Sequence, residues 1–443
     1  MSIKTNRLAQ PVRVGWLLGF AAPTAVMMVF TSLYQMVDGV FVSRIVGEGG
    51  LSALNITYPV PSAIIALSIM LATGGSAIVA KTMGQGQPRR ACQDFSLIVW
   101  VGVLAGVLVG AAGLVWLKPL VKLLGSTPGL NLYCRQYLVC ILACAPLLVL
   151  QMLFSVFFVT AGAPKIGLGV TAAGGITNIV LDAMLVPHLG VLGAGIATGA
   201  GYAVAALAGL VFFAANRRGS LYFVRPAWHK GVLWHSCTNG ASEMINNMAV
   251  SITTFLLNQS MLKYAGEDGV AAITIVLYAQ FLMTSVFMGF SSGVAPVISY
   301  HYGAKNHDQL RRAVSISLWA VGIGSVLVVL AGAVLVGPIV GVFSPKGSSV
   351  YAMAKHGFYL FLVAFLASGV NLFASALFTA LSNGKTSAML SFLRTLVFIV
   401  LGLALWPALW GLTGVWLAIP LAEAGALLVS VACLVWYKRD FGW

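Results

Sequence analysis

Residues 14–46 read VGWLLGFAAPTAVMMVFTSLYQMVDGVFVSRIV, an apolar run with one acid, Asp38, well inside it. About 20 apolar residues cross a bilayer as a helix, so this run is long enough to span. A carboxylate at membrane depth costs about 2.5 to 3.5 kcal/mol on insertion scales, which marks Asp38 as a candidate functional residue. On a helix, Tyr34 and Gln35 lie four and three residues before Asp38, so the three share one face. That face is polar in an apolar helix and is expected to look onto other helices or a water-filled cavity. Pro23 removes a backbone hydrogen bond earlier in the same helix and invites a bend.

The rest of the chain repeats this character. Of 443 residues, 60% are hydrophobic and only 8% charged, whereas soluble chains carry about 25% charge. The fold class expected is an all-α polytopic membrane protein, because long apolar runs replace the ten-residue alternation of a membrane barrel. The first span is too long for a cleavable signal peptide and lacks a small-residue cleavage site. Twelve transmembrane helices are expected, roughly at 14–46, 52–83, 93–118, 131–160, 166–187, 191–215, 231–264, 268–302, 310–338, 350–381, 386–408 and 412–437. Several exceed 25 residues, so tilt is expected. If the N-terminus is cytoplasmic, cytoplasmic segments hold seventeen Lys and Arg and the outer segments seven, which predicts both termini on the cytoplasmic side. The net charge of +15 is therefore a matter of orientation, with no nucleic-acid partner implied. The six cysteines form no CxxC pair and read as small buried apolar residues.

Two halves are visible. GEGGLSALNI at 47–56 aligns with GEDGVAAITI at 266–275, and at the same shift of 219 Gly74 meets Gly293 and Gly84 meets Gly303. Lys165 meets Lys385 and Pro187 meets Pro407 at a shift of 220. Six spans per half give both halves the same orientation, a parallel repeat of the kind secondary transporters use around a central site. The expected organisation is two pseudo-symmetric six-helix lobes: an N-terminal lobe at 1–215, a cytoplasmic linker at 216–230 and a C-terminal lobe at 231–443.

The segments YQMVDGVFVSRIVGEGGLSALNITYP (34–59), GGSAIVAKTMGQGQ (74–87), GAPKIGLGVTAAGGITNIVLDAMLV (162–186) and GVAPVISYHYGAKN (293–306) resemble the multidrug and toxic compound extrusion (MATE) family, and within it the bacterial DinF-like and MepA-like branch. The resemblance covers nearly the whole chain. It implies two six-helix lobes around a V-shaped cavity, and export of small organic cations coupled to inward H⁺ or Na⁺ flow across the bacterial plasma (inner) membrane. No further cofactor and no obligate protein partner are implied.

Four acids fall inside spans: Asp38, Asp182, Glu243 and Glu423. The other six, Asp94 among them, are expected in loops, at span ends or in the tail. A buried carboxylate can hold a proton, a Na⁺ ion or a drug cation, but one at a time, and this competition couples the fluxes. Asn178 and Asp182 are four residues apart and share a helix face. With Asp38 they would make an oxygen-rich cation-coupling cluster, and the resemblance places all three at the family's first- and fifth-helix positions. Glu243 is surrounded by Asn239, Asn246 and Asn247 and reads either as a substrate-side acid or as a helix-start acid favoured by the helix dipole. Glu423 is expected to pair with Arg394 in the preceding span. Aromatic faces attract organic cations and Met repacks around varied shapes, so the substrate site is expected among Tyr34, Gln35, Gln151, Phe154, Glu243, Asn247, Tyr278, Gln280, Met283 and Phe287. No Walker loop and no metal-binding His spacing occur, so no enzyme is implied. The rival reading is a lipid-linked saccharide flippase, which would line its cavity with Arg and Lys; here the clear embedded base is Arg394 and the acids outnumber it.

Overall fold

The computed structural model describes residues 6–217 and 219–443, with the backbone alone for Gln35, Met36, Asp38, Gly39, Val40 and Glu48. Among the described residues every regular element is helical. The long helices are α1 (Val14–Ile45), α2 (Gly49–Gly84, interrupted near Tyr58), α3 (Pro88–Val115), α4 (Asn131–Ala143 and Ala145–Thr160, bent by 56°), α5 (Pro164–Leu189) and α6 (Val191–Ala215). The second half holds α7 (232–265), α8 (267–303), α9 (His307–Phe343), α10 (Ser349–Ala380), α11 (384–410) and α12 (412–441). The α7–α8 and α11–α12 turns are so tight that helix runs almost unbroken through each. The chain reverses at Gly266 (φ 64°) and Gly411 (φ 55°), a left-handed conformation that glycine adopts without a side-chain clash. Gly47 (φ 89°) and Gly190 (φ 58°) make the corresponding turns in the first half. The expected twelve spans and their repeat are thus present.

The halves meet along a seam built from glycine. A Cβ on Gly84 would overlap the carbonyl oxygen of Tyr300, and one on Gly303 would overlap that of Lys81. These two contacts are the same contact seen from each half, since both residue pairs differ by the repeat shift of 219. Gly74 likewise sits against Ser236 and Gly240 of α7, and its counterpart Gly293 against Ala21 of α1, the counterpart of Gly240. Backbones this close give a helix crossing held by van der Waals packing, which small residues permit in lipid. Lys81 adds a polar link across the seam, with its ammonium 4.9 Å from the Tyr302 ring centroid and 3.5 Å from Ser382 Oγ. All these approaches lie in the half of the bundle nearer the chain termini. At the opposite end, Cβ atoms on Gly47 or Gly266 would meet nothing within 4 Å.

The connection between the halves is docked rather than loose. Phe223 stacks on Phe95 with ring centroids 5.2 Å apart, Ser96 Oγ accepts from the Val224 amide at 3.1 Å, and His229 Nδ1 lies 2.7 Å from Asp94 Oδ1. Asp94 is therefore not a span-end acid facing water. It sits two turns into α3 and is 1% exposed, with His229 closing over it. His229→Ala would leave a buried carboxylate short of a partner, a loss of about 1 to 3 kcal/mol. The expected result is faster tryptic cleavage at Arg217 and Arg225 in the variant than in the wild type, read by mass spectrometry of the fragments.

Candidate functional site

In the N-terminal lobe, α5 and α1 form the first candidate site. A Cβ on Gly175 would come within 3.0 Å of the Tyr34 ring, so α1 and α5 touch there with Tyr34 between them. Phe30 extends the same patch, 5.9 Å from Tyr34. One turn further along α5 stands Asn178, and one turn beyond it Asp182; the two are 4% and 0% exposed. The i, i+4 spacing thus turns both polar side chains into the packed interior of an apolar helix bundle. A Cβ on Gly201 of α6 would sit 3.2 Å from Asn178 Cβ, so α6 closes the other side. Asn178 Nδ2 has no hydrogen-bond partner among the described residues. Asp38 occupies α1 one turn beyond Tyr34, and its side chain and that of Gln35 lie outside the described residues.

The aromatic and amide candidates divide. Gln151 on α4 is buried, with its Oε1 unpartnered among the described residues. Phe154 fills the lobe's own core: its ring lies 5.4 Å from that of Phe213 and presses on Gly209. Phe287 is buried against Gly369 and Gly324, and the half-buried Met283 lies against Gly332. These three side chains pack helices together. Gln280 is half-buried on α8, where its carbonyl accepts from Thr284 Oγ1. Tyr278 stacks on Phe343 at 6.1 Å and lines an open cavity of about 780 Å³ at the end of the bundle away from the termini, together with Asn258, Glu267 and Thr274.

The C-terminal lobe holds a second polar centre. Arg394 Nε donates to Glu423 Oε1 at 2.9 Å, so the expected ion pair is present. Asn371 Nδ2 donates to Glu423 Oε2 at 2.7 Å and to the Glu423 carbonyl at 2.9 Å. Glu243 is half-buried on α7 within electrostatic reach of Arg394, and Asn247 Nδ2 bonds the Glu243 carbonyl at 2.9 Å. Arg394 lies in a π-helical turn, Leu393–Val397, within α11. Such turns occur often at functional sites.

From this centre a file of hydroxyls runs toward the termini. Ser391, Ser375, Ser387 and Thr379 contact one another in sequence at 2.9, 2.9 and 2.8 Å, and Thr379 reaches Ser242 of α7 at 3.2 Å. The sequence reading missed this file. Its signal was present: Asn371, Ser375 and Thr379 fall at i, i+4, i+8 on α10, and Ser387, Ser391 and Thr395 do so on α11.

A bundle of twelve membrane-spanning helices in two pseudo-symmetric lobes, with ionisable groups buried in each, is the architecture of a secondary transporter rather than an enzyme. The profile of the MatE family matches residues 23–184 and again 244–404, so the chain belongs to that family of transporters. It is 22% identical to the multidrug export protein MepA of Staphylococcus aureus over 430 residues, covering 96% of this chain and 94% of MepA. It shares its fold with a structure described as the outward-facing conformation of a multidrug resistance MATE family transporter, with a TM-score of 0.91 at 21% identity over 100% and 99% of the two chains. A MATE transporter in a straight conformation superposes with a TM-score of 0.92 at 20% identity over 99% of each chain.

Proposed function

We propose that the protein is a secondary-active exporter of small organic cations, driven by inward H⁺ or Na⁺ flow. The observation that carries this reading is the Asn178–Asp182 pair, buried on one face of α5 beside α1. The sister helix has Phe398 and Gly402 at the equivalent positions, so the architecture does not require these side chains. The coupling site consists of Asp38, Asn178 and Asp182, whose oxygens suit a proton or Na⁺. Tyr34, between α1 and α5 at Gly175, receives the substrate's apolar and cationic parts, and Gln35, Gln151, Glu243, Asn247, Tyr278 and Gln280 are assigned as further polar and aromatic contacts. An ion and a drug cation that compete for one carboxylate cannot be bound together, and this negative coupling drives exchange.

The lobes 1–215 and 231–443, joined by 216–230, are the moving bodies of alternating access. The glycine seam supports an arrangement closed on the termini side. With both termini cytoplasmic in the bacterial plasma membrane, as the Lys and Arg distribution favours, that arrangement faces outward. The flippase reading is disfavoured because Arg394, the base it would need, is held by Glu423.

The test is efflux of a fluorescent organic cation from proteoliposomes under separate H⁺ and Na⁺ gradients. Asp182→Asn and Asp38→Asn are each expected to slow driven efflux roughly tenfold or more. The gradient that drives the wild type names the ion. Wild-type rates in both variants would refute the site.

A further inference from the structure

We propose that the C-terminal lobe carries a path for protons, a column of buried hydroxyls linking the Arg394–Glu423 pair to solvent on the termini side. The proposal is independent of the coupling site in the N-terminal lobe. Hydroxyls in membrane helices often serve only to bond helices together. Three features separate this column from that role.

The first is continuity. Each of Ser391, Ser375, Ser387, Thr379 and Ser242 contacts the next through side-chain oxygens at 2.8 to 3.2 Å, alternating between α10 and α11 before reaching α7. All five are buried. A hydroxyl has one proton to give and two lone pairs to accept with, so a file of them can pass a proton from oxygen to oxygen. The second is the pair of ends. Thr379 lies at the end of α10, three residues before the exposed Ser382, and Asn239 Nδ2 bonds its carbonyl at 2.7 Å. At the deep end Ser391 stands one helical turn from Arg394, and Ser375 one turn from Asn371. The side-chain oxygens of Asn239 and Asn371 are buried with no hydrogen-bond partner among the described residues. Each end of the column thus offers an acceptor suited to a water. The third is asymmetry. At the positions equivalent to Asn371, Ser375 and Ser387 the N-terminal lobe has Met152, Val156 and Gly167, so the repeat does not demand the column.

The charged groups at the deep end are Glu243 on α7, Arg394 on α11 and Glu423 on α12, while α10 contributes Asn371. Protonated Glu423 leaves Arg394 to pair with Glu243, which covers that carboxylate. On release, the Glu423 O–H bond breaks and its proton passes to a water spanning the turn to Ser391, about 5 Å. That water gives up a proton to Ser391, and each hydroxyl then hands its own proton onward as far as Thr379, whose proton leaves to water beside the Asn239 amide oxygen at the termini side. The negative charge stays on Glu423, the ion pair with Arg394 forms again, and Glu243 is uncovered for a cation. The pairing seen here is the state after release.

The experiment uses full-length protein in proteoliposomes with a trapped pH dye, and reads proton flux in H₂O and D₂O. Ser375→Ala combined with Ser387→Ala is expected to slow proton flux about tenfold or more. Ser368→Ala removes a buried α10 hydroxyl that bonds only its own helix at Ala364 O (2.8 Å) and is expected to leave the flux unchanged. Binding of the organic cation, measured by fluorescence, should match wild type in the double variant, which excludes a folding defect. Proton flux within about twofold of wild type in a folded double variant would overturn the proposal, as would a wild type with no solvent isotope effect. Failure of the N-terminal site would show instead in the Asp182→Asn efflux rates.

Discussion

Arg394→Met is expected to cost about 3 to 5 kcal/mol of stability, the loss typical when one partner of a buried ion pair is removed. Glu423 is 6% exposed and Arg394 13%, so little water replaces the lost guanidinium. Asn371 still donates to Glu423 Oε2, yet one neutral amide does not compensate a full charge. The effect should be strongly non-additive. Arg394→Met with Glu423→Gln removes both charges and leaves a neutral amide that Asn371 can still meet, so the double variant should recover most of the loss. The measurement is thermal unfolding of the detergent-solubilised protein across the four-member cycle. Additive losses would mean that Glu423 is already compensated elsewhere and that the pair is not the centre of this lobe. Glu423→Gln alone is expected to be milder than Arg394→Met, because the freed Arg394 has Glu243 within electrostatic reach.

The architecture was legible because its determinants are local. Apolar length defines each span, and Gly47, Gly190, Gly266 and Gly411 punctuate the same turns in both halves. The repeat shift pairs the two seam glycines, Gly84 and Gly303, although it does not say what they touch. The polar pair on α5 was legible for the same reason, as two side chains four apart must share a face. What sequence could not supply was depth. Phe154 and Tyr278 are both aromatic residues inside apolar runs, but the first closes over Gly209 and the second stacks at the mouth of an open cavity. Nothing in their neighbours along the chain separates the two, because the contacts that decide come from other helices. Asp94 makes the same point: its partner His229 lies 135 residues away in the connection between the halves. The hydroxyl column was half legible, through spacing on α10 and α11, but the pairing of those faces exists only once the helices are packed.

Local pattern and distant contact combine at the seam. Gly84→Val is expected to lower transport about a hundredfold while leaving both lobes folded. The new Cβ would overlap the carbonyl oxygen of Tyr300, which is backbone of a helix and cannot rotate away. Overpacking of this kind costs about 3 kcal/mol, enough to shift a closed-to-open ratio about a hundredfold. Under the alternating access proposed above, the cost falls on the closed arrangement only and is relieved when α2 and α8 part. The folded lobes should survive, since residues that fill the N-terminal core, such as Phe95, Phe157 and Phe213, pack on one another. Spin labels at the exposed Arg89 and Lys385, one on each half at the termini side, would read the separation directly. The variant should show the longer distance as its main population and the wild type the shorter. Gly19→Val supplies the comparison: a Cβ there meets nothing within 4 Å, so distance and transport should both stay at wild-type values. Transport at the wild-type rate in Gly84→Val would mean that closure of this crossing is not a step of the cycle, and the gate would then have to lie elsewhere along α1, α2, α7 and α8.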